Sequence, residues 1–238
     1  MAQVINTNVN ALFAGNALNK SAMGLLVAQE RLSSGLRINT SKDDATGMVI
    51  ASKYDTEIRG TNIAIRNAND AITKAQTNDG YGAQIQENLQ RLNEIAVQLG
   101  GTATGAETTA LLAENARIAG LTTAATATTV DGKGTLVTGV SAAIAVPIGV
   151  TVAAIATNID SVTASRANYG ADAVRFGSAV STMQTTSVNL SASFSRVMDT
   201  DYAAETASMA RNNILQQAGT AILAQANQNS QSVMQLLR

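Results

Sequence analysis

The chain has 238 residues, a formal net charge of -1 from 16 Lys and Arg against 17 Asp and Glu, and neither cysteine nor histidine. The two zeros exclude disulfides, thiolate nucleophiles, Cys/His zinc sites and any Ser-His-Asp triad. The near-balance of charge offers no basic footprint for nucleic acid and little electrostatic barrier to self-association.

Aromatic residues make up 3% of the chain, Trp is absent, and the single proline is Pro147, so little interrupts a helix elsewhere. Acid–base chemistry is confined to carboxylates, Lys and Tyr, a narrow field for an enzyme. No cofactor or metal site is expected. The opening MAQVINTNVNALFAGNALNK lacks the basic start and apolar run of a cleavable signal. No stretch approaches the ~20 apolar residues of a membrane span, so no membrane insertion is expected.

The first run of helical period covers about 6–32. Val4, Ala11, Leu18, Leu25 and Leu32 recur every seven residues, with Ala22 and Ala28 beside them. Gly15 and Gly24 weaken it, each by about 1 kcal/mol relative to Ala. The stretch from Arg31 to Gly47, RLSSGLRINTSKDDATG, then reads as a structured joint. Gly35 is suited to close the first helix in a left-handed conformation. Asp43 and Asp44 are suited to cap the next.

A second run, about 45–76, steps by four and three through Tyr54, Ile58, Thr61, Ile65, Ala68, Ile72 and Ala75. Asn78-Asp79-Gly80 is expected to turn the chain. A third run, 81–99, carries Ile85, Leu89, Leu92, Ala96 and Leu99 and is expected to lie antiparallel to the second.

The middle is rich in Gly, Ala, Thr and Val. Residues 107–119 can form a short helix. Two β-prone runs, LTTAATATTV and TLVTGV, flank Asp131-Gly132-Lys133-Gly134 and predict a hairpin. That turn lacks the spacing of a phosphate-binding loop. The period of 141–155 is not decisive between helix and strand.

A fourth long run holds Tyr169, Ala173, Phe176, Val180, Met183, Ser187, Leu190, Phe194 and Val197 in step. Asp199 and Asp201 suit a new helix start. The last run, from Tyr202 to about 228, is rich in Ala, Gln and Asn, with an apolar face of small residues. Met183, Met198, Met209 and Met234 read as packing residues rather than ligands.

The expected fold is mainly α. It is a long antiparallel coiled-coil-like helical bundle with N- and C-terminal helices paired, plus a small β-hairpin region at about 120–150. The expected domains are a discontinuous paired-helix unit, 1–44 with 198–238, and a helical bundle over 45–197. The terminal stripes exceed what one helix pair covers, so Leu18, Leu25, Leu32, Ile214, Ile222 and Leu223 are expected to contact other copies. The ends are expected to gain helical order on that assembly.

Several long motifs resemble bacterial flagellin: MAQVINTNVNAL, ERLSSGLRINTSKDDATGM, RNANDAI, LQRLNEIAVQ, SRVMDTDYAAETASMARNNILQQAGTAILAQANQ and the final LLR. The match covers roughly the first hundred residues and the last eighty, and the chain differs from typical members in its short middle. The resemblance implies a structural, non-enzymatic subunit that self-assembles into the flagellar filament after export through the flagellar type III apparatus. A hook–filament junction protein of the same superfamily is the alternative. Implied partners are further copies of the chain, an export chaperone and the export apparatus, the filament cap and hook-junction proteins. The implied location is the extracellular flagellum. Leu36, Arg37 and Ile38 would touch neighbouring subunits. An innate immune receptor recognises some members through the third run, where Arg91, Ile95 and, in the next segment, Glu114 match.

Overall fold

A computed structural model describes residues 7–123, 128–129, 136–137, 139, 141–145 and 149–236. Five helices carry the fold: α1 (Val9–Ser34), α2 (Ala45–Gln98), α3 (Ala106–Ala119), α4 (Val152–Met198) and α5 (Tyr202–Leu236). They fall into two compact units, Met1–Lys53 with Ser193–Arg238, and Tyr54–Ala192.

In the first unit, α1 and α5 pair antiparallel. The Asn8 side-chain amide donates to the carbonyl of Ala226 near one end (3.0 Å), and the Tyr202 hydroxyl donates to the carbonyl of Leu32 near the other (3.2 Å). Arg31 and Glu205 form an ion pair at 3.6 Å. The seam is narrow because α1 buries small side chains, Ala14, Ser21 and Ala28. Two glycines make the close approach. A Cβ on Gly24 would lie 2.8 Å from the Asn212 side chain, and one on Gly219 would lie 3.2 Å from Leu18. Gly24 therefore admits a side chain of the partner helix, where its sequence position suggests only lost propensity. Helix α1 begins at Val9 and α5 runs to Leu236, and the pairing contacts described reach from Leu32 with Tyr202 to Asn8 with Ala226.

The joint and the α4–α5 turn clasp each other. Gly35 closes α1 at φ 74°, its N–H donating to Arg31. Leu36 then pairs with Asp199 as an isolated antiparallel bridge. The Arg37 N–H donates to Met198 (2.6 Å), its guanidinium to Val197 (2.9 Å), and the Thr200 N–H to Gly35 (3.0 Å). Behind the clasp, Ile38 is buried against Ala51 and Met198, with Leu36, Met48 and Phe194 packed around them.

The two aspartates expected to share the α2 cap divide the work. Asp44 accepts the Gly47 N–H at 2.9 Å and caps the helix, a contact worth about 1 kcal/mol. Asp43 instead turns back and accepts from the Asn39 and Thr40 N–H groups and the Thr40 hydroxyl. The Thr40 backbone bond is the main reason its carboxyl lies below the ordinary value of 3.8. A depressed folded pKa stabilises above the unfolded value and is lost as pH falls through the folded one. Amide protection of Asn39 and Thr40 is therefore expected to hold above the ordinary value of 3.8 and to be lost as pH falls below it, and to be already low and flat in Asp43→Asn. Hydrogen exchange read residue by residue checks this.

In the second unit, α2 and α4 run antiparallel, alanine facing bulk. Ala64 and Ala68 pack against Ala179 and Met183, and Ala71 against Phe176. Further along, Ile85, Leu89, Leu92, Ile155, Val162 and Tyr169 form the largest cluster, with α3 adding Ile118 and, at its margin, Leu111 and Leu112. A second clasp closes this end, with Thr102 bridged to Thr151 and the Ala103 N–H donating to Val150 at 2.9 Å. Residues 141–145 are strapped onto α4. The fully buried Asp172 carboxylate accepts the Ser141 N–H and hydroxyl, and the Tyr169 hydroxyl donates to Ala142. Burial holds the Tyr169 phenol above its usual pKa.

Two expectations about the fold are corrected. Runs two and three do not form an antiparallel pair, because α2 passes through Asn78-Asp79-Gly80 without a break. Asn78 is buried and exchanges hydrogen bonds with the backbone of Thr123, Asp79 pairs with Arg166 at 2.8 Å, and Gly82 lies against the Arg166 stem. The seam keeps its phase through Ala75, Asn78, Gly82 and Ile85, all buried, and a true turn would have broken that phase.

The second correction concerns the β-hairpin region at 120–150. Among the described residues the architecture is helical, and the pairing there is limited to β1 (Thr128–Thr129) and β2 (Leu136–Val137), two residues each. Residues 141–145 are irregular, and the turn 130–135 lies outside the described residues. A lone two-stranded ladder needs a third strand or an apolar face against a helix to persist. The Thr, Ala and Gly of this stretch supply few large apolar side chains for that role.

Candidate assembly interface

The α1–α5 pair leaves large apolar side chains uncovered. On α1, Phe13 is 78% exposed, Met23 69% and Leu26 65%, and Val9, Leu12 and Val27 are also exposed. On α5, Ile214, Leu215 and Ile222 are exposed, and at the start of α2 so are Val49 and Ile50. Scattered exposed hydrophobes are ordinary, but a run along one helix pair marks an interaction surface. A cleft of about 320 Å³ opens between the helices where Phe13, Ala14 and Ala17 face Gly219 and Ile222. Its walls are aliphatic and aromatic, and its few polar atoms come from Asn10 and the backbone, so it suits packing rather than catalysis. Among the described residues no group of three acidic, Cys or His side chains could hold a metal ion, and no helix is long and apolar enough to cross a membrane.

The expected site residues distribute unevenly. Ile214 and Ile222 point outward, while Leu223 is half-buried. Leu18, Leu25 and Leu32 are half-buried, and Leu18 sits over Gly219 within the chain's own seam. Leu36 is half-buried and Ile38 fully buried in the first unit's cluster, whereas Arg37 is exposed but held by Val197. In the second unit, Arg91 is exposed and its guanidinium donates to Glu107 (2.9 Å) and Glu94 (3.0 Å). The Glu107 bond is the first cause of its raised pKa. Glu114 is turned to Arg117 at 2.6 Å, and that hydrogen bond holds its carboxyl below the usual range. Ile95 is only 8% exposed and belongs to the core cluster. Arg91 and Ile95 therefore do not share an exposed face, although they stand one turn apart.

The seven-residue stripe concealed the outward residues Leu12, Phe13, Met23, Leu26 and Val27. The signal was available in the adjacent pair Leu25-Leu26, since a single seam takes Leu25 and strands Leu26, and in Leu12-Phe13, both of which fall outside the seam.

These features define a mainly helical chain whose terminal helices pair antiparallel and leave an apolar outer face. The chain belongs to the bacterial flagellin family. Residues 5–138 match the bacterial flagellin N-terminal helical region and residues 152–237 the C-terminal helical region. Over 98 residues, 41% of this chain, it is 56% identical to a flagellin of Salmonella rubislaw and to the phase 2 flagellin of Salmonella typhimurium. It is 55% identical over the same length to the phase 1 flagellin of Salmonella naestved. The match spans about a fifth of these relatives, 20%, 19% and 19% of their lengths.

Proposed function

We propose that this chain is a structural subunit that polymerises into the bacterial flagellar filament and serves motility. The observation that carries the reading is the outward apolar face of the α1–α5 pair, with Leu12, Phe13, Leu26, Ile214 and Ile222 left in water by the single chain. Covering each such side chain is worth about 1.5–3 kcal/mol, and further copies of the same helix pair are the natural cover. Membership of the flagellin family supports the same assignment, and no observation favours a hook–filament junction role.

In this reading, 1–44 with 198–238 form the inner assembly unit and 45–197 the surrounding layer. Leu36, Arg37 and Ile38 act at the joint from within, holding its shape, while Arg37 also offers a neighbouring copy its outer edge. The subunit reaches the extracellular flagellum through the export apparatus, accompanied by an export chaperone, and adds beneath the filament cap beyond the hook-junction proteins. A receptor reading the second unit would meet Arg91 and Glu114 directly, with Ile95 supporting the helix from beneath.

Seeding purified protein with short filament fragments tests the central assignment. Long filaments in electron micrographs are expected, with the soluble pool falling to a constant critical concentration. A soluble pool that tracks total protein, with no filaments, would overturn it.

A further inference from the structure

We propose that Met23 is an oxidation-sensitive control point, whose thioether takes oxygen from a peroxide-class oxidant and thereby weakens assembly. The inference rests on the assembly reading above and adds a modification site to it. With no cysteine in the chain, the thioethers are the groups most readily oxidised by peroxide. Among the methionines whose side chains are described, Met183 is fully buried, Met198 nearly so, and Met48 and Met209 are half-buried. Met23 alone of these five is exposed, at 69%. It lies three and four residues before Leu26 and Val27, one turn of α1, so the three side chains share one outward patch.

The chemistry balances without help from the protein. The sulfur lone pair attacks one peroxide oxygen, the O–O bond breaks, and the departing hydroxide takes up the remaining proton as water. Sulfur is oxidised by two electrons and the peroxide is reduced by two. The product sulfoxide is strongly polar and strands an acceptor oxygen wherever the patch is covered by an apolar surface. In the free chain the same oxygen faces water, so the fold of the first unit is left undisturbed. The modification therefore separates folding from association.

Treating the intact monomer with hydrogen peroxide, then measuring sulfoxide at each methionine by mass spectrometry, gives the first result. Among the five described methionines Met23 is expected to oxidise fastest and Met183 slowest. The critical concentration of the oxidised protein is expected to rise roughly tenfold or more. Methionine sulfoxide reductase should restore it, and a Met23→Leu variant should assemble equally well before and after peroxide. Oxidation of Met23 no faster than Met183, or unchanged assembly of the Met23 sulfoxide, would overturn the proposal while leaving the assembly reading intact. Equal loss in Met23→Leu would do the same. Failure of the untreated protein to polymerise would overturn both together.

Discussion

Glutamate at both Phe13 and Leu26 is expected to raise the critical concentration for polymerisation by about 100-fold or more, from the loss of two buried side chains at about 1.5–3 kcal/mol each. The added carboxylates would also have to be desolvated in any covered interface, which pushes the effect further in the same direction. The monomer should hardly notice. Both side chains are mostly in water, so they contribute little to α1–α5 pairing, which uses Ala14, Ser21, Ala28 and the half-buried leucines. Sedimentation of seeded reactions reads the first quantity, and circular dichroism with urea titration reads the second. Polymerisation of the double variant at the ordinary critical concentration would mean that this face is not the assembly surface.

Phe176→Ala is expected to destabilise the second unit by about 3–5 kcal/mol, the range for removing a fully buried ring. Phe176 has no exposed surface and packs against Ala71 and Ile72 of α2. The buried residue facing it is Ala71, whose methyl group cannot reach into the space, and only the partly buried Ile72 borders it. Phe176→Leu should lose much less, because the pocket keeps most of its volume. Urea unfolding followed at a probe within 54–192 measures both. A loss below about 1 kcal/mol for the alanine variant would show that α2 and α4 do not pack tightly at this level.

The long helices were legible because their seams are regular. Tyr169, Phe176 and Met183 were expected in one stripe and are buried in one stripe. The caps at Gly35 and Asp201 were legible from residue type, and Asp201 accepts the N–H groups of Ala203 and Ala204. Asn78-Asp79-Gly80 misled because turn chemistry describes what three residues do in isolation. Here a buried hydrogen-bond partner at Thr123 and an ion-pair partner at Arg166 arrive from distant sequence and make the helical conformation the better one. Asp172 was invisible for the same reason. A carboxylate in a helical seam reads as a solvated residue until the strap at Ser141 supplies its hydrogen bonds. The hairpin region was overread because β propensity in a Thr- and Ala-rich stretch does not provide a face to bury. The outward patch on α1 was missed because a stripe read at every seventh residue passes over Leu12, Phe13, Met23 and Leu26, which lie off that seam.

The sockets at Gly24 and Gly219 bear on how the chain's two ends find their alignment. Each helix carries one protrusion and one notch, and the two matches run in opposite senses: Asn212 of α5 enters α1, and Leu18 of α1 enters α5. Along α1 they stand six residues apart, about 9 Å. Shifting α1 by one turn would withdraw both side chains at once and set them against positions that bear a Cβ. Ala- and Gln-rich helices otherwise slide easily, since their faces repeat. Two missing methyl groups thus act as a vernier, admitting a single axial phase between helices whose matched residues lie roughly two hundred positions apart in sequence.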